Sequence, residues 1–562
     1  MKNKYLSRSL NLAAIFVIAA FSIFAQAPRP DFNRPRTFDA QNYTIRASFD
    51  RSKEKVFGDT VVSLKPLKAD FKSVELDAVD LAFESVKLEP SGIDLSYKAE
   101  PRKIVITLDR SYGPADLISI RLKYSATKPA KGVYFRSAEN KRSAQIWSQG
   151  EAEEARYWFP CFDFPSDKAT TEEFITAQKD ETVVGNGELV EKVDNPDGTT
   201  TWHYKMPVPH STYLVSFVIG LYAKVSDSYK SIPLGYYVYP GMEGTARNAF
   251  GDTPKMIRVY EQLTGVEFPY NKYDQTMVAN FQFGGMENIT ATTMSDLEII
   301  FGDAIGGNGT TTDLVSHELA HSWFGDLVTC RNWAELWLNE GFATYMEAAY
   351  REQAVGRDDY IRKVKEDAND FLNDDVANKN RHPLYDLNAG DVDSLFDNAS
   401  TTYNKGGAVL HTLREQVGTE AFWKSLNLYL NRHKFANVES TDLRAAMEAT
   451  SGQDLGWFFD QWVYGAGAPK LDVRQVWHAR TKTLNVMVSQ LQGDAITRAV
   501  FRLPMDIKII TPAGEAVEKI EITRRMQSFS FKLDAKPSDL KLDPSDKIPV
   551  KRVKAHAVVT AR

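Results

Sequence analysis

The hydrophobic period changes twice along the 562 residues, and this restricts the chain to a multidomain α+β architecture. From about Asn42 to Ala223 short alternating runs are separated by turn signals. Examples are Tyr43 to Phe49, Val61 to Leu64 and Lys103 to Leu108, with Asp194-Asn195-Pro196-Asp197-Gly198 as a turn. Ser211 to Ala223 closes this part as one strongly apolar strand. After about Pro233 apolar residues recur at helical spacing, notably over Pro254 to Thr264 and Thr312 to Arg351, and helices continue to Trp462. Alternation returns from Leu471, as in Leu484 to Val488 and Met505 to Ile510. The expected division is a β domain over 28–232, a mostly helical domain over 233–466 and a small β domain over 467–550. Residues 551–562, beginning Lys551-Arg552, read as a basic, mobile tail.

Hydrophobic residues at 43% and charged residues at 25% describe a globular chain rather than a disordered one. A net charge of −6 without a long basic run argues against nucleic acid as a partner. The first residues have the pattern of a secretory leader. Lys2, Lys4 and Arg8 precede an apolar run from Leu12 to Ala25, followed by the small-residue site Ala25-Gln26-Ala27. The run is too short to span about 30 Å of hydrocarbon comfortably. The expectation is a signal peptide over 1–27, export to the periplasm or beyond, and no stable membrane span after cleavage. Cys161 and Cys330 read as buried free thiols.

His317-Glu318-Leu319-Ala320-His321 lies within the helical region. Residues four apart on a helix differ by about 40° around the axis, so both imidazoles leave one face and can hold one zinc ion. Glu318 points elsewhere and stands beside the metal as a general base for water. Eighteen residues separate His321 from Glu340, enough for the first helix to finish near Asp326, turn through Thr329 to Asn332, and return antiparallel. Glu340 is then the third ligand, leaving one coordination position open. Glu335 and Glu347, nearby, fit solvated helix carboxylates.

Six segments, in order, resemble the aminopeptidase N family of gluzincin peptidases. They are Ser148-Gln149-Gly150-Glu151, Ala155 to Asp163, Gly284-Gly285-Met286-Glu287-Asn288, the His317 to His321 helix, Leu338 to Ala343, and Tyr403-Asn404-Lys405-Gly406-Gly407. The resemblance spans roughly 40–550. It implies an N-terminal β-sandwich or saddle-like domain, a thermolysin-like zinc peptidase domain and a small immunoglobulin-like β domain. It also implies that Glu287 and Glu151 bind the free amino group of a peptide, and that Tyr403 stabilises the oxyanion. Glu153 and Glu154 beside Glu151 leave a solvated acidic face as the competing reading. Gly284 and Gly285 let the backbone approach a bound peptide, and Met286 and Gln149 line its pocket. The implied activity is removal of amino-terminal residues from peptides with one Zn2+ per chain. An endopeptidase or a non-catalytic scaffold of the same fold are the alternatives, and the oligomeric state stays open. Many members carry a large helical domain after the small β domain; here the residues beyond Trp462 read as strands, so that cap is expected to be absent.

Overall fold

The alternating first part folds into three sheets, seen in a computed structural model that describes residues 29–139, 142–304, 310–377, 380–552 and 559–561. The leader read in residues 1–27 lies outside the described residues. Of the unit Met1–Asp31 only residues 29–31 are described, and they belong to no helix or strand. Everything below concerns the second unit, Phe32–Arg562.

An eight-stranded sheet runs in the order Glu188–Asp194, Thr199–His210, Ala169–Gln178, Phe38–Asp50, Lys55–Pro66, Ile118–Thr127, Ala82–Glu89, Ile93–Asp94. Phe38–Asp50 pairs antiparallel with Lys55–Pro66 and parallel with Ala169–Gln178. Burial in Lys55–Pro66 falls on every second residue, including Val56, Thr60, Val62 and Leu64, as a sheet with one covered face requires. A three-stranded sheet contains Phe71–Asp77, Lys103–Tyr112 and Tyr97–Glu100. A four-stranded sheet contains Thr182–Gly185, Phe217–Gly220, Gln145–Ser148 and Val133–Arg136, and it delivers Gln149-Gly150-Glu151 at the end of Gln145–Ser148.

The segment from Ser211 to Ala223 is not one strand. It forms a 3-10 turn, Thr212–Leu214, and then the strand Phe217–Gly220. Asn186 explains the break: its side chain accepts from Ser216 N at 2.7 Å and donates to the Leu214 carbonyl at 3.3 Å. Those backbone groups are satisfied by a side chain instead of a ladder.

A mixed five-stranded sheet follows, in the order Ala223–Tyr229, Ile232–Val238, Tyr273–Val278, Ala291–Ser295, Gly285–Met286. Tyr273–Val278 is buried at every position, as expected of a strand parallel to both neighbours and covered on both faces. The helices that matter most are α1 (Thr310–Ala320), α2 (Trp337–Ala354), α3 (Arg357–Ala377) and α4 (Gly406–Val417). α2 is buried from Trp337 through Arg351, which makes it the central rod of this region. Among the described residues no helix is long and apolar enough to cross a membrane.

Two small sheets close the chain. One contains Met526–Lys532, Thr483–Gln490 and Lys470–His478; the other contains Gly514–Ile522, Leu503–Thr511 and Asp539–Leu542. Leu484, Val486 and Val488 from the first, and Leu503, Met505, Ile507 and Ile509 from the second, enter the same hydrophobic core. The expected mobile tail is partly built into this domain. Lys551–Arg552 and Val559–Ala561 add parallel to Lys470–His478, so backbone pairing outweighs the basic character of the segment. Cys161 and Cys330 are buried and unpaired.

Candidate metal and peptide site

α1 ends at Ala320, six residues before the expected stop, yet His321 N still bonds the His317 carbonyl at 3.3 Å. Both histidines therefore keep helical spacing. The chain then reverses at Gly325, whose φ of +136° is open to glycine and costly for other residues. Phe324 stacks on Phe342 of α2, two residues beyond Glu340, with ring centroids 4.3 Å apart. Asn339 accepts from Cys330 N at 3.1 Å and donates to the Tyr213 hydroxyl at 3.1 Å, which fixes the start of α2.

These contacts bring His317 Nε2 to 3.2 Å and His321 Nε2 to 3.4 Å from Glu340 Oε2. The ligand atoms of the three residues lie within 4.8 Å of one another, so they could hold a metal ion. The remaining ring nitrogens are occupied: His317 Nδ1 pairs with Glu347 Oε1 at 2.7 Å and His321 Nδ1 with the Phe324 carbonyl at 2.9 Å. Such partners aim the Nε2 atoms at a common point.

Glu347 is thus no solvated carboxylate. It lies two helical turns beyond Glu340 on α2, and this seven-residue spacing was the signal available in the sequence. Its second oxygen meets Lys363 Nζ at 2.8 Å; Lys363 meets Asp367 at 2.7 Å, and Asp367 accepts from Asn404 at 3.1 Å, next to Tyr403. Lys363, Asp367 and Asn404 gave no motif signal of their own. Glu335 is also buried, and accepts from Ser440.

Tyr403 sits in a π-helical turn, Thr401–Lys405, that leads into α4. Its ring lies parallel to that of His317 with centroids 5.9 Å apart. Gly341 of α2 and Gly406 touch backbone to backbone: a Cβ on Gly406 would stand 2.7 Å from the Gly341 Cα. Gly341 follows Glu340 and Gly406 lies three residues past Tyr403, so this contact holds the two segments that carry those side chains against each other.

Glu318, Glu287 and Glu151 converge on the same cleft, whose volume is ≈ 660 Å³. A Cβ on Gly285 would stand 2.3 Å from Glu318 Oε1, so the glycine makes room for this carboxylate. Gly284 and Gly285 also line the cleft, with Phe283, Leu314 and Phe396. Gln149 and Met286 are not among its lining residues; they are buried and meet each other, Gln149 Nε2 to Met286 Sδ at 3.2 Å. The acids beside Glu151 are spoken for. Glu153 binds Arg156 and accepts from Trp333 at 3.1 Å, and Glu154 accepts from the Tyr134 hydroxyl at 3.0 Å. Glu151 Oε1, Glu287 Oε1 and Glu318 Oε2 are buried without a hydrogen-bond partner.

Four carboxylates facing two imidazoles leave the site short of positive charge. Burial pushes Glu318 up to about 8; His317 and His321 pull it down, while Glu287 and Glu340 push it up. Burial would also raise Glu340, but the charge of His321 and hydrogen bonds from both histidines hold it at about 2. Burial, then the charges of Glu287 and Glu340, raise Glu151 well above the carboxylate range. Without a metal, and against the effect of burial, the facing carboxylates push both imidazoles towards the protonated form, His321 up to about 10. A divalent metal takes the place of those protons, so two imidazoles and a carboxylate with partnerless acid oxygens beside them fit it.

The sequence comparisons give the family. The family description "Peptidase family M1 domain" matches residues 248–462, and "Peptidase M1 N-terminal domain" matches 39–214. The chain belongs to the M1 peptidase family. "Aminopeptidase 2" of Candida albicans is 27% identical over 73% of this chain and 45% of its own length. "Probable aminopeptidase 1" of Saccharolobus solfataricus is 30% identical over 72% of this chain and 51% of its own. "Aminopeptidase M1" of Arabidopsis thaliana is 28% identical over 80% and 52% respectively. The chain spans about half the length of these curated relatives. The comparisons go against the expectation of export: the relatives matched are aminopeptidases of a yeast, an archaeon and a plant, and none of these names marks an exported enzyme.

Proposed function

We propose that the chain is a zinc aminopeptidase that hydrolyses the first peptide bond of peptides with a free amino terminus. His317, His321 and Glu340 would hold the metal. When bound, zinc supplies Lewis acidity, polarising the substrate carbonyl and lowering the pKa of water. Glu318 takes the proton of the attacking water and hands it to the leaving amine. The Tyr403 hydroxyl donates to the oxyanion that forms on the carbonyl, a contribution typically worth about 10²–10³ in rate.

The observation that carries this reading is the pair Glu151 and Glu287, buried beside the metal ligands with one oxygen each lacking a hydrogen bond. A substrate ammonium satisfies both. An internal peptide bond brings no cation and leaves two desolvated carboxylates unpaired, a penalty of about 3–5 kcal/mol, which disfavours an endopeptidase. The retention of ligands, base and tyrosine in one cleft disfavours a pure scaffold. The test uses the zinc-loaded chain with aminoacyl anilides and their N-acetylated forms. The free amines are expected to be cleaved about 10²–10³-fold faster. Equal rates would remove the amino-terminal assignment, and no cleavage of either would remove the hydrolytic one.

A further inference from the structure

We propose that the seat of the peptide ammonium is also a second metal site, in which Glu151, Glu287 and Glu340 take a hard divalent cation of the Mn2+ class when no peptide is bound. The inference rests on the function proposed above and adds a ligand to the same seat. One ligand atom from each of the three carboxylates lies within 4.8 Å of the others, as in the group formed by His317, His321 and Glu340. Glu340 belongs to both groups, and a ligand shared in this way would bridge the two positions. Pairs of metal ions about 3.5–4 Å apart are a known arrangement in hydrolytic sites.

Burial separates this cluster from an ordinary acidic patch. Glu151, Glu287 and Glu340 are 7%, 3% and 2% exposed. Glu151 Oε1 and Glu287 Oε1 have no hydrogen-bond partner, and such oxygens are costly unless a cation reaches them. Protein cations do not answer them in full: His321 Nδ1 stands 3.7 Å from Glu287 Oε1, beyond hydrogen-bond distance, and bonds the Phe324 carbonyl instead, while Lys363 is held by Glu347 and Asp367. Arg156 is likewise held, by Glu153 and Asp163. Glu151, Glu287, Glu318 and Glu340 carry four negative charges when ionised. Zinc answers two of them, a peptide ammonium one more, and a second divalent cation both that remain. An all-oxygen donor set favours Mn2+, Mg2+ or Ca2+ over softer ions. Because ammonium and cation use the same oxygens, their binding is mutually exclusive.

The experiment titrates the zinc-loaded full chain with Mn2+ and follows the electron paramagnetic resonance of the free ion, with zinc content measured throughout. One Mn2+ per chain is expected in addition to zinc. Leucinamide should displace it, and N-acetyl-leucinamide should not. Glu151→Gln and Glu287→Gln should each weaken Mn2+ binding about tenfold or more, since each removes a ligand charge. Two variants are used so that one that loses zinc or melts early does not decide the matter. Absence of stoichiometric Mn2+ uptake, uptake that leucinamide leaves untouched, or uptake by both folded variants equal to that of the parent chain would overturn the proposal. Hydrolysis of aminoacyl anilides without Mn2+ uptake sinks the second site and leaves the aminopeptidase reading standing. Amine-sensitive uptake without hydrolysis does the reverse.

Discussion

At Gly285 a hydrogen atom stands where any other residue would place a carbon 2.3 Å from Glu318 Oε1. Glu318 Cδ and Cγ would lie almost as near, at 2.4 and 2.6 Å, so the whole side chain has to move. Gly285→Ala is therefore expected to displace the proposed base while leaving the metal ligands in place. A shift of about 1 Å in a reacting group costs on the order of 10² in rate. kcat for an aminoacyl anilide should fall by about that factor, with zinc content and melting temperature unchanged; full activity would show that Glu318 tolerates the displacement. The glycine was visible in the sequence, but its reason was not. Reading it as room for a peptide missed Glu318, because the contact joins residues 33 positions apart in two different elements. The same limit hid Glu347: α2 is buried all round, so no amphipathic pattern distinguishes an inward acid from a solvated one.

Between elements, the contact of Gly341 with Gly406 holds α2 against the turn that carries Tyr403. Gly406→Ala inserts a methyl where the backbones already touch. Overpacking of this kind costs about 1–3 kcal/mol. The variant should melt several degrees lower and lose turnover, while Mn2+ or zinc binding is reduced less; an unchanged melting curve would mean that the two elements can part freely. Element types were legible in the sequence because period-two burial in strands such as Lys55–Pro66 and helical spacing around His317 are local properties. Element ends were less so. α1 stops at Ala320 because Gly325 reverses the chain and Phe324 docks on Phe342, a surface that exists only once α2 is formed. Lys551–Arg552 and Val559–Ala561 likewise find their pairing partner in Lys470–His478, about eighty residues earlier, and no local pattern announces it.

Across the whole molecule, the N-terminal sheets are joined to the cleft through a small set of buried polar links. Asn186 Nδ2 donates to the Ile289 carbonyl at 2.8 Å, Gly187 N to Thr290 Oγ1 at 2.7 Å, and Lys272 Nζ to the Gly185 carbonyl at 2.7 Å. These links stand just beyond Glu287 and Asn288. Glu173 supports them by accepting from Asn186 N at 2.9 Å, while its other oxygen has no partner. Burial pushes the Glu173 carboxyl up to about 8; the Asn186 N–H and the charge of Lys272 only partly oppose it. Its folded pKa is thus above the unfolded value of 4.5. The folded state holds the proton more tightly, so this contribution to stability is complete below about 4.5 and is lost as pH rises through about 8. Glu173→Gln removes the titration. Its stability relative to the parent chain should grow from pH 5 to pH 8 by a few kcal/mol, at about 1.4 kcal/mol per pKa unit. Urea denaturation at both pH values measures this difference; a difference independent of pH would mean that Glu173 ionises as it does in water.

The backbone touch between Gly341 and Gly406 works as a datum works in a machined assembly. Glu340 is referenced to it from one side and Tyr403 from the other, each within three residues along its own segment. Sequence drift elsewhere can shift the frame while leaving the gap between those two parts, whereas drift at either glycine moves the gap itself.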